Sequence, residues 1–158
     1  MKSAFQGKTS SNAETLVFGR KELRQAYEMF SDTAQKSLDL VSLGYPFYCL
    51  EDLKEVAGLL RGKRVHSEVQ LWIWTDEASR SVGERMGIVQ DIEAAGGYVL
   101  TDTCSVAPPI NKCGYGFKNV MTDSLKESGF HLRSGHISSF VGSMEKCIEA
   151  AIAGKHQR

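Results

Sequence analysis

The sequence predicts an α/β domain of three layers, with helices on both faces of a mostly parallel sheet. Three observations lead there. Short apolar runs with strand character alternate with amphipathic helical stretches along the chain. Three of the five loops that follow the strand-like runs are rich in Ser, Thr and Asp and open a helix. The chain has 158 residues, 42% of them hydrophobic, which suits one domain with a sizeable core.

Residues 1–13 are rich in Ser, Lys, Gly and Asn and are expected to be disordered, leaving residues 14–158 as the domain. "ETLVFG" is a short apolar run, and "RKELRQAYEMFSDTAQKS" has helical periodicity. "LDLVSLG" reads as a strand closed by Gly44 and Pro46. "CLEDLKEVAGLLRG" reads as a helix with Leu50, Leu53, Val56, Leu59 and Leu60 on one face. "VQLWIWT" is a strand in which Trp72 and Trp74 alternate with Leu71 and Ile73, so both faces of the sheet are expected to be covered and the Trp side chains to be core. "DEASRSVGERMG" is a helix capped by Thr75 or Asp76, and "IVQDIEAAG" is a short helix ending at Gly96. The strand "GYVLTDTC" follows, then the strand "KNVMT" and a short helix from "DSLKESG". The strand "GHISSFVG" precedes a last helix, "SMEKCIEAAIAG", capped by Ser143 and stopped by Gly154.

Charge excludes several classes of partner. Lys+Arg is 19 and Asp+Glu is 19, so nothing favours nucleic acid or an anionic membrane. The basic residues are scattered, apart from a knot at Arg61–Arg64 and a tail at Lys155–Arg158. The amino terminus lacks an apolar signal segment and no run is long enough to span a membrane, which predicts a cytoplasmic protein. The four cysteines, Cys49, Cys104, Cys113 and Cys147, are then expected as free thiols or ligands, and no C-x-x-C pair is present. Cys147 falls on the apolar face of the last helix and is expected in the core, and Cys113 in an exposed loop. "GYGFKN" precedes a strand and is no dinucleotide fingerprint. His66, His131, His136 and His156 lack a partner at a spacing that names a catalytic pair and are expected to be surface or structural residues.

In a parallel sheet the functional loops lie beyond the carboxyl ends of the strands. These are "GYPFYCLED", "DEASRS", "CSVAPP", "TDSLKES" and "GSMEK". Together they resemble the aconitase X family, in the order and spacing of the carboxyl-terminal part of its catalytic domain. The resemblance runs from about Glu14 to Gly154. Its most specific pieces are the Gly-x-Pro-x-x-x-Leu-Glu-Asp-Leu loop, the "DTC" strand end and the "TDS-x-K" turn. It implies an aconitase-like α/β/α subdomain and a lyase, a hydro-lyase that removes water from a small hydroxylated anionic substrate such as cis-3-hydroxyproline or mevalonate 5-phosphate. It also implies a swivel-domain partner and an iron or iron–sulfur centre held by cysteines, because a metal ion stabilises the charge on departing hydroxide. Carried over by residue, Cys104 matches a metal-ligand cysteine. Thr122, Asp123, Ser124 and Lys126 match the turn that faces the active site. Ser124 is the catalytic candidate, and with Thr122, Asp123 and Lys126 it would hold the substrate's anionic end.

The chain departs from the family in two ways. The family writes Gly-Cys-Pro-His where this chain has Gly44-Tyr45-Pro46-Phe47, so a ligand cysteine is replaced by Tyr45. The chain is also less than half as long as a full catalytic domain. Only part of the active site is therefore expected, and no proton-abstracting base is evident. Two other classes stay open: a non-catalytic remnant, and a scaffold that binds small anions at its helix starts.

Overall fold

The computed structural model describes residues 16–31, 37–106 and 115–156. The expected disorder of residues 1–13 lies outside this range, as do Pro108, Pro109 and Cys113. Six helices and five strands follow in the order α1 (Arg20–Met29), β1 (Leu40–Tyr48), α2 (Leu50–Leu60), β2 (Gln70–Thr75), α3 (Glu77–Arg85), α4 (Ile88–Ala94), β3 (Gly97–Thr101), β4 (Asn119–Thr122), α5 (Leu125–Arg133), β5 (Ser138–Val141) and α6 (Met144–Ala153). The sheet order is β3-β2-β1-β4-β5. Every pairing is parallel, so the expected mostly parallel sheet is wholly so.

This order sorts the helices. A parallel crossover is right-handed, so helices change face when the chain reverses its direction across the sheet. From β1 through β2 to β3 the chain steps one way, and α2, α3 and α4 share one face. From β4 to β5 it steps the other way, and α5 lies on the opposite face against β4 and β5. The main core fills the first face. Val41, Leu43, Leu71, Ile73, Val99, Met121 and Phe140 point from the sheet into Leu53 and Val56 of α2, Ile92 of α4, and Cys147 and Ile148 of α6. Cys147 is thus a core thiol, as its place on the apolar face predicts. On the other face Leu40, Val120 and Ile137 form a smaller cluster with Trp72 and Phe117 packed on it.

The two tryptophans share that second face. Trp74 is buried and its indole N–H donates to Ser42 Oγ at 2.9 Å. Trp72 is half-buried, with its ring edge-on to Trp74, Tyr115 and Phe117 at 5.8, 5.4 and 5.5 Å. Tyr98, on the edge strand β3, stays 51% exposed, so this face is covered less fully than the first.

Caps settle the helix starts. Asp76 caps α3 by accepting from Ser79 N–H at 2.8 Å. Thr75, the other candidate, donates its hydroxyl to the Tyr48 carbonyl at 2.6 Å. Ser143 caps α6, and Gly154 ends it at φ 76°. The described part of the first helix stops at Met29, short of the expected Ser37, with residues 32–36 outside the description. The strand expected to reach Cys104 stops at Thr101. Strand β1 does the opposite. It runs past Gly44, through a register shift and the cis Tyr45-Pro46 peptide, and pairs again at Tyr48 with Thr75. Gly44 permits this. Its φ is 91°, and a Cβ there would collide with the Trp74 carbonyl. Gly44→Ala combines backbone strain with that collision and is expected to cost on the order of 3 kcal/mol or more. Urea unfolding of the variant beside the natural chain measures the loss.

Candidate functional site

The sheet reverses its winding between β1 and β4, and a parallel sheet opens a crevice beyond the carboxyl ends of its strands at such a point. The last residues of β1 and the turn from β4 into α5 meet there. Tyr48, nearly buried, donates its phenol hydroxyl to Asp123 Oδ2 at 2.6 Å. Burial and the neighbouring Asp123 charge push the Tyr48 hydroxyl well above its ordinary pKa. It therefore acts as a hydrogen-bond donor and stays protonated. Burial also raises the Asp123 carboxyl, with the Glu127 charge adding to the rise and the Tyr48 hydrogen bond opposing it.

The turn itself is a closed hydrogen-bonded loop. Ser124 caps α5 by accepting from Glu127 N–H at 3.2 Å, and Ser124 N–H donates to Thr122 Oγ1 at 3.1 Å. Thr122 Oγ1 donates in turn to Glu127 Oε2 at 2.8 Å. Glu127 is fully buried, and its other oxygen receives the Ser105 hydroxyl and lies 3.3 Å from His131 Nε2. A carboxylate this deep requires several partners, and all of these are polar. Lys126 points outward, with Nζ 5.4 Å from the centre of the Tyr45 ring, within the range of a cation–π contact.

The four residues expected to hold substrate therefore share one turn, though their surroundings differ. Thr122 is fully buried and its hydroxyl is spent on Glu127. Ser124 is 8% exposed and uses its oxygen as a cap, which leaves its hydroxyl hydrogen able to donate. Asp123 and Lys126 are the more open pair. Cys104 is a half-buried free thiol. Its neighbour Ser105 is bonded to Glu127, so the segment after β3 reaches across to the same turn. Cys49 is exposed at the start of α2, where its N–H donates to Asp52 Oδ2 at 2.8 Å.

Three residues of the site escape the sequence reading. Glu127 and His131 stand four apart on α5, a spacing that pairs side chains on a helix, and this was the available signal. His131 is buried within α5, the structural of the two roles expected for it. Tyr48 lies 75 positions from Asp123, and no local pattern connects them.

A sequence profile described as the aconitase X third domain matches residues 38–153. The chain belongs to the aconitase X family. The crystal structure of Thermococcus kodakaraensis aconitase X in its holo-form superposes with a TM-score of 0.71 at 27% identity, over 83% of this chain and 33% of that one. The phosphomevalonate dehydratase large subunit of Methanocaldococcus jannaschii is 36% identical over 113 residues, 72% of this chain and 27% of its own length. The cis-3-hydroxy-L-proline dehydratase of Pseudomonas aeruginosa is 30% identical over 161 residues, 97% of this chain and 26% of its own. The aconitase X chain described here thus spans about a quarter of the length of these two enzymes.

Iron is the group the family implies. Among the described residues no cluster of three His, Cys, Asp or Glu side chains is arranged to hold a metal ion. Cys104 is a soft donor of the right chemistry, and one thiolate does not make an iron site. The described donor set does not fit an iron centre by itself. No described helix is long and apolar enough to cross a membrane.

The raised Asp123 carboxyl has a signed consequence. The folded chain binds this proton more tightly than the unfolded chain, so stability falls as pH rises from the ordinary aspartate value of about 4 through the folded pKa. Asp123→Asn removes that penalty, and its amide oxygen can still accept from Tyr48. The variant is expected to melt above the natural chain at pH 7, with the difference shrinking towards pH 4. Thermal melts across that range test it.

Proposed function

We propose that this chain forms one wall of an aconitase X dehydratase site, which takes a small hydroxylated anion of the mevalonate 5-phosphate or cis-3-hydroxyproline type and removes water from it. The observation that carries this reading is the turn of residues 122–126 at the winding reversal, where an ammonium, a free hydroxyl hydrogen and a perturbed carboxyl share one short stretch. The named activities of the two enzymes above support it.

The roles follow from chemistry. Lys126 supplies the positive charge that meets the substrate's phosphate or carboxylate, with Tyr45 holding its ammonium by the ring face. Ser124 donates its hydroxyl to the same group at the start of α5, where the helix dipole favours an anion. Asp123 takes the proton that leaves carbon. Its elevated pKa brings it nearer the operating pH, which makes a better proton acceptor, and Tyr48 steadies the carboxylate. Thr122 keeps the turn in shape through Glu127. Cys104 contributes at most one thiolate to an iron centre whose other ligands come from outside the described residues. The remaining domains of the catalytic subunit and a swivel partner complete the site. The name "large subunit" of the Methanocaldococcus jannaschii relative accords with such a partner.

The test is calorimetric titration of the chain with mevalonate 5-phosphate and with cis-3-hydroxyproline. One of the two is expected to bind. Lys126→Ala is expected to weaken that binding about tenfold, the scale of one charge-assisted contact. Binding that ignores Lys126→Ala places the ligand elsewhere, and no binding of either compound removes the proposed substrate turn. The substitution of Tyr45 for a ligand cysteine favours a second reading, an anion-binding scaffold that has lost its chemistry. It predicts the same titration, with no loss of water when the other catalytic domains are supplied.

A further inference from the structure

The two halves of the proposed site come from distant parts of the sheet. β3 stands at one edge, and β2 and β1 separate it from β4. Three strand spacings amount to roughly 14 Å. The chain leaves β3 at Thr101, and Ser105 is already bonded to α5 beyond β4. Residues 102–105 begin this crossing with a bend at Asp102, whose φ is 54°, and the side chains of Ser105 and Glu127 close the remaining distance. Two hydrogen bonds anchor the crossing. Asp102 N–H donates to the Thr75 carbonyl at 3.3 Å at the near end, and Ser105 Oγ donates to Glu127 at the far end.

We propose that Glu127 is a positioning residue, which clasps the 102–105 crossing to the substrate turn and so keeps the two halves of the site facing each other. This rests on the dehydratase reading only in taking those halves to be the site. Glu127 is fully buried, so it meets no ligand. Its carboxylate gathers partners from three places: Ser105 on the crossing, Thr122 at the end of β4, and His131 one turn along α5. Burying a carboxylate is costly, and an apolar side chain would fill the same space without that cost. The acid earns its place through directional bonds, which an apolar residue cannot make to a loop from another strand. Thr122 and His131 lie on the elements that already hold Glu127, so Ser105 is the contact that brings in a separate segment.

Alkylation of Cys104 reads the clasp directly, because this half-buried thiol sits one residue from Ser105 and becomes reachable when the crossing lifts. The rate of iodoacetamide labelling, resolved by peptide mass spectrometry on the metal-free chain, is compared between Cys104 and the exposed Cys49. Ser105→Ala and Glu127→Gln are each expected to raise the Cys104 rate about tenfold, the scale of one hydrogen bond to a charged group, with Cys49 unchanged. Ser105→Thr, which keeps the hydroxyl, is expected to restore the slow rate. A Cys104 rate within twofold of natural in folded Ser105→Ala overturns the proposal, as does natural Cys104 labelling as fast as Cys49. If Glu127→Gln does not fold, Ser105→Ala decides alone, since it leaves Glu127 its bonds to Thr122 and His131. The readout uses neither substrate nor iron, so its failure is separate from failure of the dehydratase reading.

Discussion

Strand β1 is paired on both sides, to β2 in one direction and to β4 in the other, and the rest of the molecule follows from that. A right-handed crossover leaves only one face for the helices on each side of the central strand. The helices of the β1–β3 half therefore pack on one face and α5 on the other. The winding reversal between β1 and β4 is a consequence of the pairing.

What lies at that reversal is set by the cost of buried polarity. Asp123 and Glu127 both sit on the turn that leaves β4, and their charges repel. The structure handles the two differently. Glu127 is driven fully inside and surrounded by hydroxyls and an imidazole, so its charge is satisfied internally. Asp123 keeps one strong partner, Tyr48, and stays partly open, with its pKa displaced upward. One carboxyl is thereby enclosed and satisfied within the fold while the other stays partly open with a raised pKa, and the difference lies in their partners.

Membership in the aconitase X family accounts for the fold. The match covers a quarter to a third of the length of the enzymes reported above. Tyr45 lies beneath Lys126, whose Nζ stands 5.4 Å from the ring centre. In the anion site proposed above, that contact gives Tyr45 a role of its own.

The sequence by itself determined the elements and their class, because each depends on neighbours a few residues apart. Alternation of period 2 and period 3.6 marked the strands and helices, and Ser143 and Gly154 marked the ends of α6, while the choice of Asp76 over Thr75 as the cap of α3 came from the structure. The sequence also placed Thr122 to Lys126 in one turn, since that turn is contiguous. Contacts between distant segments were not legible. Tyr48 meets Asp123 only after β1 continues beyond Gly44, and that continuation depends on the Trp74 backbone alongside. Ser105 meets Glu127 only because β3 and β4 are separated by two strands in one sheet and the chain must cross back. Strand order is a property of the packed sheet, settled by which faces are buried together, and it is what brought three of the five loops together.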